Sequence, residues 1–134
     1  MAERPMSEAG ERRRKLDNLL ESGQSPYRNR FPDPEPVALL LERYEAFENG
    51  QSSDDEHRVA GRILIKRGHG KATFLVLKDA SGRVQLYGNI DILGEETYTD
   101  FQHLDIGDVI GVTGPVFRTR RGELSVEVRS FTLL

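Results

Sequence analysis

The side chains best suited to chemistry in this sequence are aromatic rings, amides and arginines carried on predicted β-strands. Phe74, Gln85 and Glu123 stand in three segments whose apolar and polar side chains alternate. An aromatic ring can stack on an unpaired nucleic-acid base, which contributes about 1–3 kcal/mol. An amide offers a donor and an acceptor to a base edge, and an arginine such as Arg67 binds a phosphate or stacks. These residue types predict a surface for single-stranded RNA.

The alternation assigns each of these residues to one face, because successive side chains of a strand point to opposite sides. Leu75 and Leu77 belong to the core side of one strand, so Phe74 points away from the core. The same parity predicts an open face made of Phe74, Gln85, Tyr87 and Glu123, with Arg67 at its rim. The alternative from the same residues is that Phe74 packs beneath a helix over residues 36–48 and that Gln85 is merely solvated.

Composition limits the other classes of function. The 134 residues include no cysteine, which excludes thiol catalysis and thiolate zinc sites. His57, His69 and His103 have neither the spacing of a metal site nor a nucleophile to pair with, so no catalytic residue and no metal ligand is predicted. No apolar run reaches the roughly 18–20 residues that span a bilayer, and no signal core is present. We therefore expect a soluble, cytoplasmic protein with no membrane partner.

The charge of the chain favours a selective binder. The net charge is −3 and the pI is about 5.7, whereas general nucleic-acid coats usually have a pI above about 9. The positive residues nevertheless gather in three clusters, at residues 12–15, 66–71 and 118–121. A locally basic groove on an acidic body can still bind RNA, but selectively and with modest salt dependence.

The elements that must position these residues fall into two parts. Residues 1–56 are predicted to be an extension, with a disordered lead, a helix over 7–22, a proline-rich arm, a helix over 36–48 and a polar linker at 49–56. The remaining residues 57–134 are predicted to form the binding domain.

The second part alternates in the order strand, strand, strand, helix, strand, strand. The predicted strands cover residues 59–66, 73–79, 83–88, 109–117 and 123–132, and the helix covers 90–104. This order is typical of the five-stranded OB-fold barrel, which binds oligonucleotides on its second and third strands and flanking loops. The predicted fold class is therefore an all-β or α+β OB barrel preceded by one or two helices, although other small barrels share the order in outline.

Two basic segments allow more than one interpretation. The loop over residues 66–71 places two glycines between cations, which suits either close approach to a ligand or a flexible, solvated hairpin. It lacks the ending of a phosphate-binding P-loop. The run Arg12-Arg13-Arg14-Lys15 could contact an RNA backbone or form the solvated face of a helix.

Several segments, from about residue 11 to the end of the chain, form a recognisable set. They are Lys71-Ala72-Thr73-Phe74 with Leu77 and Asp79, Gly82-Arg83-Val84-Gln85-Leu86-Tyr87, Gly107-Asp108-Val109-Ile110-Gly111, Thr119-Arg120-Arg121-Gly122-Glu123-Leu124-Ser125, and upstream Arg12, Lys15, Leu16, Leu19, Gly23, Pro26, Tyr27 and Phe31. This set resembles the class II lysyl-tRNA synthetases. The Gly-Lys-Ala-x-Phe and Gly-Glu-Leu-Ser segments together separate this family from its aspartyl and asparaginyl relatives. Thr73, where serine is commoner, and His69, where the loop often has an apolar residue, depart from the pattern.

The resemblance implies that the chain binds the uridine-rich anticodon loop of lysine tRNA. By position, Phe74 resembles the residue that stacks on the central base, and Gln85 and Arg67 resemble those that read or brace its edge. Glu123 resembles a contact to a neighbouring base, and Lys71 adds a cation beside the stacking ring.

The resemblance further implies that aminoacylation belongs to a separate catalytic domain of a parent ligase. ATP and Mg²⁺ would act there, so no cofactor is expected in this chain, and a homodimer would form through the parent enzyme. The sequence leaves two rivals open, a free-standing OB protein that binds single-stranded nucleic acid and a module for subunit association.

Overall fold

The structure of the protein, a computed structural model, describes residues 31–134. The predicted helix over residues 7–22 and the basic run at residues 12–15 lie outside the described residues. Within the described part, each helix is too short or too polar to cross a lipid bilayer.

Five strands close into a ring and thereby confirm the predicted OB barrel. The ring order is β1-β2-β3-β5-β4, and β4 returns to pair with β1. Neighbouring strands are antiparallel except β3 and β5, which run parallel. The elements are α1 (Val37–Arg43), β1 (Ser52–His69), β2 (Ala72–Lys78), β3 (Arg83–Asn89), α2 (Ile90–Leu93), α3 (Glu95–Gln102), β4 (Val109–Arg118), β5 (Leu124–Glu127) and β6 (Ser130–Leu133).

The core follows the predicted parity. Leu75, Leu77, Val84 and Leu86 point into the barrel and are buried, as the alternation of their strands requires. Tyr98 and Phe101 of α3 close one end of the barrel. Phe101 packs so tightly on Gly88 that a Cβ at that position would stand 2.2 Å from its ring. A glycine is therefore required in β3 where the helix crosses it.

Helix α1 is fixed to the barrel by a residue far away in sequence. The carboxylate of Asp79, in the turn between β2 and β3, accepts a hydrogen bond of 2.9 Å from the Val37 amide at the start of α1. Burial by itself would raise the pKa of Asp79, but hydrogen bonds from Val37, Ser81 and Gly82 outweigh it and hold the pKa below its ordinary value of 3.8. The helix end is thus satisfied by the barrel rather than by a local cap.

A buried histidine joins the arm to the barrel. Nδ1 of His57 donates to the Glu35 carboxylate at 3.0 Å, and Nε2 lies 2.6 Å from the Tyr44 hydroxyl. His57 is buried and Tyr44 packs in the common hydrophobic core. Glu35 and Tyr44 are therefore tied to the barrel, while the division of the chain at residue 57 stays a prediction.

The structure corrects the bounds of the second predicted helix and of the predicted linker. The second predicted helix ends at Arg43 rather than at residue 48. Part of the predicted linker is strand, because β1 already begins at Ser52 and pairs its backbone with Phe117. Exposed polar side chains do not prevent such pairing, since the ladder is made by backbone groups.

The long predicted helix and the last predicted strand are each divided in two. Gly94, with a φ of 87°, separates α2 from α3 in a conformation that favours glycine. The predicted strand over 123–132 becomes β5 and β6, because the amide of Val128 donates to Tyr87 of β3 and the next amide, Arg129, donates to Thr113 of β4. The chain changes its pairing partner at that point.

Candidate nucleic-acid interface

The strand registers place the predicted readout residues in two adjacent rows. Residues directly opposite in paired strands share a face of the sheet. Arg67 pairs with Phe74, and Phe74 pairs with Tyr87, which forms the first row. In the second row, Gln85 of β3 lies opposite Ser125 of β5.

Arg67, Phe74 and Gln85 of these rows line an open cleft of about 460 Å³. Four of the five predicted site residues line it together. Three further residues come from the hairpin between β4 and β5, which sequence reasoning did not assign to the site. The lining residues are Arg67, Phe74, Gln85, Thr119, Arg120, Arg121 and Glu123. Arginines outnumber the single carboxylate, so the cleft is locally basic in a chain of net charge −3.

Phe74 is the aromatic ring that lines this cleft. Its ring is half-buried, and its centroid lies 5.0 Å from that of Tyr87 at an interplanar angle of 42°. Tyr87 in turn meets Phe117 edge-on at 5.8 Å. Helix α1 docks at the β2–β3 turn, where Gly82 meets Val37, and Phe74 lies toward the other end of β2. The ring is therefore flanked by aromatic neighbours on its own face and lines the cleft.

Gln85 is buried, although the parity argument placed it outside. Its strand face is the predicted one, but only 7% of the residue is exposed because its neighbours cover it. Its Nε2 donates to the Ser125 hydroxyl at 2.9 Å, and its Oε1 accepts from the Arg67 guanidinium at 3.4 Å. The alternative of a merely solvated amide is wrong, because both ends of the amide have partners in the protein.

The hairpin between β4 and β5 carries Arg120 and Arg121 to the rim. Gly122 turns the chain with a φ of 94°, and its amide donates to the Thr119 carbonyl at 2.9 Å. The predicted basic cluster at 118–121 divides here, because Arg118 points back into the protein. Its guanidinium donates to the carbonyls of Gly122 and Tyr44 at 2.9 and 3.0 Å. Arg118 therefore braces the hairpin that presents the two exposed arginines.

Lys71 is the predicted site residue that the structure does not bring into the cleft. Strand β1 extends to His69, so the predicted loop at 66–71 is a tight turn at Gly70 and Lys71. Lys71 is exposed there and does not line the cleft. The signal for the missed residues was available, since Arg120 and Arg121 belong to the loop between strands four and five that OB folds use.

Comparison with known proteins agrees with this geometry. The model of the tRNA anti-codon family, described as an OB-fold nucleic acid binding domain, matches residues 57–134. The chain is also similar to lysine–tRNA ligases. It is 49% identical over 120 residues to that of Moorella thermoacetica, 40% over 125 residues to that of Oceanobacillus iheyensis and 44% over 125 residues to that of Bacillus cereus.

These alignments cover most of this chain but a small part of each relative. They include 90% of this chain and 24% of the Moorella protein, and 92% of this chain and 25% of each of the other two. The chain thus spans about a quarter of the length of the curated relatives it matches. The family match extends over more than half of the residues, from His57 to Leu134. The chain belongs to the tRNA anti-codon family of OB-fold nucleic acid binding domains.

Proposed function

We propose that the cleft binds the unpaired, uridine-rich anticodon of a lysine-accepting tRNA, and that the chain is the anticodon-binding part of a lysine–tRNA ligase. The proposal rests on one observation: the aromatic ring of Phe74, the hydrogen-bonded amide of Gln85 and a rim of arginines line the same cleft. Uridine stacks on Phe74, its base edge meets Gln85 and Arg67, and neighbouring nucleotides meet the rim.

Each part of the cleft suits a different part of a single strand. A base that is not paired can turn its face to Phe74 and its Watson–Crick edge to Gln85. Arg120 and Arg121 stand where the phosphates on either side of that base would pass. Glu123 accepts hydrogen bonds only, so it suits a base that presents a donor. A base within a duplex could not reach these groups without leaving its stack.

The lysine specificity rests on the names of the relatives, because a cleft of this kind would accept several pyrimidine-rich loops. In the proposed ligase, ATP and Mg²⁺ act in a separate catalytic domain, and none of the residues of this cleft takes part in aminoacylation. A homodimer would form through that ligase, and the setting of protein synthesis implies the cytoplasm.

The proposal is tested by titrating the 134-residue chain with labelled anticodon stem-loops. We expect the loop that carries three uridines in the anticodon to bind more tightly than loops in which cytidines or purines replace them. A fully paired hairpin of the same length serves as the control for charge alone. Equal binding of all single-stranded loops would instead support the free-standing single-strand binder, and equal binding of the paired control would contradict a single-strand site.

Light scattering on the isolated chain tests the alternative that it serves as a module for subunit association. Concentration-dependent dimers of the isolated chain, together with no preference among the stem-loops, would favour that role over anticodon binding.

A further inference from the structure

We infer that Ser125 is a specificity-determining positioning residue, which locks the amide of Gln85 in the one orientation that accepts uracil and rejects cytosine. The inference rests on the proposed function and deepens it. The residue itself is fully buried, so it acts through Gln85 and not by touching RNA.

A backbone carbonyl sets the direction of the hydrogen bonds that link Gln85, Ser125 and Glu123. The Ser125 hydroxyl lies 3.3 Å from the Glu123 carbonyl oxygen, and a carbonyl can only accept, so the hydroxyl must donate there. The Ser125 oxygen then uses a lone pair to accept from Gln85, at 2.9 Å. This requires Nε2, rather than Oε1, to face Ser125.

The other end of the amide gives the same orientation independently. The Arg67 guanidinium is a donor with no acceptor, and it lies 3.4 Å from the oxygen of the Gln85 amide. A turned amide would place its NH₂ group against the guanidinium, donor to donor. It would also place its oxygen against the Ser125 lone pairs. The hydrogen bonds therefore run in one direction from Arg67 through Gln85 and Ser125 to the Glu123 carbonyl.

The burial of this network makes the lock effective. Gln85 is 7% exposed and Ser125 is 0% exposed, so water has little access to replace a lost partner. A buried amide NH₂ group without an acceptor is unfavourable. Removing the hydroxyl leaves the NH₂ group without its acceptor, and the exposed Arg67, at 3.4 Å from Oε1, then holds the amide less firmly.

The locked orientation has a direct consequence for base choice. With Oε1 beside Arg67, the cleft offers an acceptor next to a donor. Uracil complements this pair, because its N3–H donates and its O4 accepts. Cytosine in the same position opposes it, since its N3 accepts and its N4 amino group donates. An amide released from Ser125 can turn and offer its NH₂ group to N3 of cytosine, so the preference for uridine depends on Ser125.

The test compares affinities of the full chain for two stem-loops that differ only in uridine or cytidine at the central anticodon position. We expect Ser125→Ala to lower the uridine-to-cytidine affinity ratio about tenfold, mainly because the variant binds the cytidine stem-loop more tightly than the wild type does. A tenfold change corresponds to about 1.4 kcal/mol. The matched control is Thr73→Val, which removes another buried hydroxyl, one that bonds to Tyr98. That variant should keep the wild-type ratio.

A double-mutant cycle separates the lock from a purely structural effect. If Ser125 acts through Gln85, the Gln85→Ala and Ser125→Ala changes together should lower the ratio no further than Gln85→Ala alone. Ser125→Cys, which keeps the shape but has a weaker acceptor, should give an intermediate ratio and serves if the alanine variant unfolds.

Two outcomes overturn the inference in different ways. A Ser125→Ala variant that keeps the wild-type ratio while Gln85→Ala loses it would overturn the inference alone. Absence of any uridine preference in the wild-type chain would overturn the proposed function and the inference with it.

Discussion

Replacing Phe74 with alanine tests whether the ring belongs to the binding surface or to the core. Loss of a surface ring lowers RNA affinity, whereas loss of a core ring lowers stability. The ring lines the cleft and is half-buried. If it stacks on the central base, its removal should cost about 1–3 kcal/mol of RNA affinity. That range corresponds to an increase in Kd of about 5-fold to about 150-fold.

The expected loss of stability is smaller and follows from the contacts of the ring. Phe74 meets Tyr87 at 5.0 Å, and an aromatic pair of this kind contributes about 0.5–1.5 kcal/mol beyond its buried area. The matched control is Phe101→Ala. Phe101 is 0% exposed, so its loss should cost about 3–5 kcal/mol of the free energy of unfolding. It should leave the affinity of the folded fraction nearly unchanged.

Two measurements on each variant decide the question. Fluorescence anisotropy with a labelled lysine-anticodon stem-loop gives Kd, and circular dichroism during heating gives Tm. The reasoning is refuted if Phe74→Ala lowers Tm as much as Phe101→Ala does while Kd stays at the wild-type value. Phe74 would then be a core residue and the stacking role would be wrong.

Three further changes test other parts of the molecule. Gln85→Ala should reduce the preference for uridine over cytidine more than it weakens binding overall, as paired titrations would show. Alanine at both Arg120 and Arg121 should lower the slope of log affinity against log salt by ~0.7 per lost phosphate contact. The same change at Lys71 should leave that slope unchanged, because Lys71 does not line the cleft. Asp79→Asn should lower Tm at pH 7 and flatten the acid-induced loss of stability. Because the folded protein lowers the pKa of Asp79, ionised Asp79 stabilises the fold at pH values above its ordinary pKa of 3.8. This stabilisation is lost as the pH falls through the pKa of the folded state. Unfolding curves at pH 7 and pH 3 would contradict this if variant and wild type were equally acid-sensitive.

The sequence sufficed for the face of each strand because alternation is a local property. Leu75 and Val84 are buried and Phe74 lines the cleft, as parity predicts. Parity also placed Gln85 and Glu123, 38 positions apart, on one face, and the parallel pairing of β3 with β5 explains how they meet. Strand pairs far apart in sequence leave no periodic signal.

The parts that sequence reasoning missed depend on such distant contacts. The burial of Gln85 requires Ser125 and Arg67 from two other strands. The inward turn of Arg118 depends on the Tyr44 carbonyl, 74 positions earlier. A run of basic residues looks uniform in the sequence, and only the packing distinguishes the arginine that braces the hairpin from those that face the cleft.

The acidic charge of the chain is compatible with RNA binding because the cleft does not rely on charge alone. Stacking on Phe74 and hydrogen bonding to Gln85 do not require a positive surface, whereas binding along a duplex does. In the proposed site, Arg120 and Arg121 would attract phosphates where an unpaired base can also reach the ring, because they line the same cleft as Phe74. A net charge of −3 gives the chain no general attraction for a duplex backbone. The same charge distribution that weakens general nucleic-acid affinity therefore favours a single-stranded loop over the paired stem that carries it.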